Sequence, residues 1–152
     1  MTGFLFDLSF CLAAPFWLLM VLAPRWAWTV RIARSPYTVL PVLAVYLGMA
    51  IPVFPELWAT VSSPSLDGFR ELMVLANGAG AIWAQVIAWD LLIGQWMFLE
   101  ARRMGLHPLV TGPLLVFTVL LSPLGVLVLL AVRAVHAART AKERPDPVLT
   151  TA

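Results

Sequence analysis

Residues Ile82–Leu99, IWAQVIAWDLLIGQWMFL, form an apolar run with one charge, Asp90, near its middle. A hydrocarbon core about 30 Å thick needs roughly 20 apolar residues in helical form to cross it. The run therefore reads as the centre of a transmembrane helix, and it sets the fold class. A carboxylate at the middle of a bilayer costs about 2.5–3.5 kcal/mol on insertion scales. A residue kept at that cost serves either as a chemical group or as a hydrogen-bonding link between helices. On a helix Trp83, Ile87, Asp90, Gly94 and Met97 share a face. Gly94 leaves room beside the carboxyl for another helix or a ligand.

The rest of the chain agrees with a membrane reading. Of 152 residues, 61% are hydrophobic and 12% charged, against about 25% charged in soluble domains. The expected architecture is all-α, an integral membrane bundle of four transmembrane helices with proline-kinked spans. The spans are placed at 4–23, 37–59, 76–99 and 109–132. Residues 133–152 are expected to form a basic helical extension and a disordered tail, because Pro145 and Pro147 interrupt the end. The first stretch has no Lys or Arg before Asp7 and is followed by Arg25, Arg31 and Arg34, so it reads as a retained span and not a cleaved leader.

Charge placement leaves the orientation open. With four spans, Arg25, Arg31, Arg34, Arg102 and Arg103 fall on one side. Arg70, Arg133, Arg139, Lys142 and Arg144 fall on the other. The positive-inside rule then has equal weights to compare. The net charge of +2 and the placement of cations in loops and at the C-terminal end suit lipid headgroups, not nucleic acid.

Several chemistries are excluded or unsupported by the residue inventory. One cysteine, Cys11, allows no internal disulfide. Two histidines, His107 and His136, stand far apart, and no metal site is expected. No serine or cysteine has an adjacent base, so covalent catalysis is not expected. No cofactor is expected. Tyr46 falls at about the depth of Asp90 on the second span, and Thr118 and Ser122 do so on the fourth, whereas no Lys, Arg or His reaches that depth. Asp90 and Tyr46 are the catalytic candidates, since acid–base work on a lipid-soluble substrate needs a carboxylic acid in an apolar pocket. Trp17, Trp83, Trp89 and Trp96 could wall a slot for a flat polyene, or they could pack as ordinary core and interface residues. Asn77 and Gln85 could orient a polar group of a substrate, or cap and bridge helices.

Three stretches resemble a known family. They are Ala14-Pro15-Phe16-Trp17-Leu18-Leu19-Met20 followed by Pro24, the segment from Trp83 to Trp96, and Leu120-Leu121-Ser122-Pro123-Leu124-Gly125. Together they resemble the abscisic-acid-deficient-four-like membrane proteins, whose plant members act in neoxanthin synthesis. The middle stretch is similar to the family's Trp-x-His … Phe-Asp-x-x-x-Gly-Arg-Trp pattern. Trp83, Asp90, Gly94 and Trp96 match it, whereas Gln85 stands for His and Gln95 for Arg.

The resemblance implies a carotenoid or isoprenoid-lipid substrate. It also implies a redox-neutral acid–base rearrangement by the midplane carboxylate, as in the opening of an epoxide to an allenic alcohol. The expected substrate-binding set is Trp17, Trp83, Gln85, Gly94, Gln95, Trp96 and Asn77. A non-catalytic pigment- or lipid-binding or complex-assembly protein is the second reading, and the changes at Gln85 and Gln95 favour it. A small transporter is a third, with one buried carboxylate as its only support. Expected partners are the bilayer, a carotenoid or isoprenoid small molecule, and further copies of the chain or carotenoid-pathway enzymes. The Ala/Leu/Arg-rich composition points to a multi-pass protein of a bacterial inner membrane.

Overall fold

The computed structural model describes residues 1–142, and all its regular structure there is helical. The segment 143–152, where a disordered tail is expected, lies outside the described residues. Three segments are long and apolar enough to cross a membrane. The first is α1, Thr2–Leu22. The second, Pro36–Ser62, is a series of short helical pieces that includes α3 (Leu40–Ala50) and α4 (Phe54–Ser62). The third is α6, Ala76–Arg103. Between them lie two short helices, α2 (Ala27–Ala33) and α5 (Leu66–Val74).

The second segment shows how proline sequence becomes shape. Pro36, Pro41, Pro52 and Pro55 each sit in the first turn of one of its pieces, where a missing N–H costs nothing. Ala50, Ile51 and Phe54 keep helical dihedrals around Pro52 and only Val53 among their neighbours departs, at φ −117 and ψ 23, so the segment continues through a local break. α6 is different: no proline interrupts its 28 residues, and Gly105 at φ +68 ends it. The amide of Leu106 bonds to the carbonyl of Ala101, and that of Gly105 to Arg102, which satisfies the last carbonyls.

α6 is the axis of the fold. Its small residues take the neighbouring helices close: Ala81 and Ala84 pack with Val45, Met49 and Ala50 of α3. Leu91, Met97 and Phe98 pack with Ala13, Trp17 and Met20 of α1 and Leu115 beyond. Two polar links mark its two ends. At one end Thr2 Oγ1 donates to Asn77 Oδ1 at 2.6 Å. At the other Arg102 donates to the carbonyl of Pro24 at 2.6 Å. These links define a first face, with Thr2 and Asn77, and a second face, with Pro24 and Arg102.

The last apolar stretch departs from the expected single span over 109–132. It is two helices, α7 (Pro108–Leu120) and α8 (Ser122–Lys142), separated at Leu121 with φ −141 and ψ 61. Pro123 has no amide hydrogen for the carbonyl of Val119, so the ladder of α7 stops and a new one starts from the carbonyl of Leu121. The two helices fold back on each other. Positions seven apart on a straight helix are about 10 Å apart, yet a methyl group on Gly125 would overlap Thr118. α8 returns to the second face, where Arg133 pairs with Glu100 at 3.4 Å and Val132 lies against the same cavity as Leu106. Among the described residues the candidate spans therefore number three, and the fourth stretch is a hairpin with its tip at Leu121–Ser122.

Candidate functional site

Asp90 lies fourteen residues into α6 and is half-buried. The side chain of Ser122, the first residue of α8, lies beside its carboxyl. The hairpin tip thus meets the carboxyl in mid-span. Among the described residues the acidic partners of ion pairs are Asp67 and Glu100, so Asp90 has no cationic partner there.

The face predicted from spacing is a real face, and helices occupy most of it. Trp83 stacks on Phe6 of α1, with centroids 5.0 Å apart and planes 17° apart. Its Nε1 is buried and has no hydrogen-bond partner. An indole N–H left in that state forgoes about 1–3 kcal/mol, so it is the one donor on this face still open to an acceptor. Gly94 accommodates the ring of Trp17, and any added methyl would overlap that ring. The room beside the carboxyl is therefore filled by the chain's own indole. Met97 receives the hydroxyl of Thr118 at 3.5 Å.

Tyr46 is not on the Asp90 face. With Val39 and Leu43 it lines a groove of about 300 Å³ against Gln85, Ala88, Trp89 and Leu92 of α6. Depth along the bundle brought Tyr46 level with Asp90, but depth carries no azimuth. Gln85, Tyr46 and Trp89 are brought together there, and Leu43 and Val39 complete a wall that spacing on α6 alone does not single out. The groove is mostly apolar, with the tyrosine hydroxyl and the Gln85 amide as its polar groups.

The remaining candidates have other employment. Gln95 is buried, and its Nε2 donates to Thr38 Oγ1, which donates in turn to the carbonyl of Ser35 at 3.0 Å. This relay fastens the start of the second segment to α6. Trp96 is 41% exposed and faces outward. Asn77 is held by Thr2, about 20 Å along α6 from Asp90. Thr38, which the sequence reading passes over, carries a signal in hindsight: it stands three residues after Ser35, at the entrance to a proline-opened turn.

A family model described as ABA DEFICIENT 4-like matches residues 4–129. No curated protein and no solved structure matches the chain. The matched span contains Asp90, the groove and the hairpin tip, and ends before the basic part of α8.

Proposed function

The chain belongs to the ABA DEFICIENT 4-like family, and from that premise we propose that it binds a carotenoid or related isoprenoid within the bilayer and rearranges it with Asp90. The observation that carries the reading is a mid-span carboxyl beside a serine hydroxyl, with no cation paired to it among the described residues. Such a group suits a redox-neutral isomerisation. On an epoxide, the carboxylic acid delivers its proton to the oxygen as a C–O bond breaks. The carboxylate then takes a proton from carbon as a double bond forms. Asp90 ends as it began, and Ser122 keeps the carboxyl oriented through both steps. The apolar groove beside Tyr46, Gln85 and Trp89 would hold a flat chain on the adjoining face.

The fourth crossing expected from the sequence takes a modified form in this reading. The hairpin of α7 and α8 enters from the second face and serves to place Ser122 at mid-depth. Non-helical backbone at membrane depth is tolerated where it is buried in protein or lines a cavity. The proposed location is a bacterial inner membrane.

The test uses cells of the native host. Deleting the gene and restoring it as Asp90→Asn is expected to give the same pigment and isoprenoid profile, with the unrearranged substrate accumulated. Loss of the general acid–base group is expected to slow turnover by about 10²–10⁴-fold. Restoration of the parental profile by Asp90→Asn would overturn the proposal.

A non-catalytic binder is the second reading, favoured by one observation. Gln95, which stands where the family pattern has Arg, is committed to Thr38 and not to a ligand. A binder would copurify with an unaltered pigment, and both Asp90→Asn and Asp90→Ala would leave the cellular profile unchanged.

A further inference from the structure

We propose that a cavity on the second face holds the phosphate of an anionic phospholipid between Arg34, Arg102 and Arg103. The cavity measures about 460 Å³ and is bounded by Val30 and Arg34 at the end of α2 and by Leu99, Arg102 and Arg103 in the last turn of α6. Three guanidiniums face one space, and their charges are only partly met. Arg34 has no ion pair or side-chain hydrogen bond among the described residues. Arg102 spends one donor on the carbonyl of Pro24 and lies over the Phe98 ring at 5.8 Å. Arg103 approaches Glu100 at 3.5 Å, but Glu100 is shared with Arg133. Planar guanidiniums bind phosphate oxygens in pairs, so free donors converging here suit a phosphate.

The cavity walls name the kind of phosphate. Val30 and Leu99 are apolar, and Leu92, Trp96, Leu99 and Arg103 follow one stripe of α6. A ligand seated on the arginines is led along that stripe toward the hydrocarbon. A lipid with a charged head and an acyl chain fits this; a soluble anion uses only the head. The charge of the whole face argues for the same occupant. Among the described residues, Arg25, Arg31, Arg34, Arg102, Arg103 and Arg133 lie on its side, and Glu100 is the single acid there. Juxtamembrane cations attract anionic lipid by about 1 kcal/mol each. The site is separate from Asp90 and from the chemistry proposed there.

Native mass spectrometry of the full chain in mild detergent tests it, with phosphatidylglycerol and phosphatidylcholine of the same acyl chains as probes. The wild type is expected to retain phosphatidylglycerol preferentially. Arg34→Gln is expected to lower that retention about fivefold, because this side chain has no internal bond to lose. Arg31→Gln removes the same charge from the same face but outside the cavity, where Arg31 rests on Trp28 at 5.5 Å; it is expected to retain the lipid. Arg103→Gln serves as a second cavity variant if Arg34→Gln does not fold. Excess inorganic phosphate is expected to leave the lipid bound. Equal retention of the two lipids by the wild type, equal losses from Arg31→Gln and Arg34→Gln, or displacement by inorganic phosphate would each overturn the proposal.

Discussion

Asp90 was legible from the sequence because a charge inside an apolar run is costly anywhere on a helix, whatever it faces. Its neighbour was only half legible. Ser122 and Tyr46 both fall at the right depth, and only the fold distinguishes them, placing Ser122 at the carboxyl and Tyr46 in the groove on another face. The two make opposite predictions. Ser122→Ala is expected to lower turnover of the identified substrate about tenfold, the worth of one hydrogen bond that orients the reacting group. Tyr46→Phe is expected to change turnover little and to weaken substrate retention instead. Steady-state kinetics in detergent separate these outcomes. Gly94 shows the same limit of sequence reading. Spacing predicts space beside Asp90, and the structure fills that space with Trp17. Gly94→Ala is therefore expected to destabilise the protein by about 1–3 kcal/mol, the usual cost of overpacking a core, measured by thermal unfolding in detergent.

Helical content and the three long segments follow from apolar runs of the right length, so both appear in the sequence and in the fold. The departure of the fourth stretch has a local cause. Pro52 and Pro123 look alike in sequence, yet the chain bends through Pro52 and turns back before Pro123. At Pro52 the preceding residues stay helical, whereas Leu121 leaves the helical region altogether. Gly125 then permits the approach of Thr118 that a side chain would block. Hydropathy averages over such a break and reports a span. Gly125→Ala tests the fold-back directly. The hairpin predicts a loss of about 1–3 kcal/mol, because the added methyl meets Thr118, measured by thermal unfolding in detergent. A straight helix, which holds these positions about 10 Å apart, predicts a gain of about 0.5–1 kcal/mol from replacing glycine.

At the scale of the molecule, the hairpin changes the charge balance. The equal count of cations on the two sides assumed four crossings. With α8 returning to the second face, Arg133 joins the arginines already there, and Arg70 alone represents the described cations of the first face. The first face instead gathers Asp7, Glu56, Asp67 and Glu71. By the positive-inside rule the second face is then expected toward the cytoplasm. A cysteine at Ser65 is expected to react with an impermeant maleimide on intact cells, and one at Gly105 only after lysis; the reverse pattern would contradict the orientation. The basic cavity would then face the anionic leaflet, and the Asp90–Ser122 pair would sit between the two surfaces, reached through the bilayer. The most direct measurement of the central claim is mass spectrometry of the lipid and pigment that copurify with the protein from its own host, wild type beside Asp90→Asn. The account predicts a bound isoprenoid in both, rearranged in the wild type and unrearranged in the variant. The same unaltered molecule in both would contradict it and leave Asp90 as a link between helices.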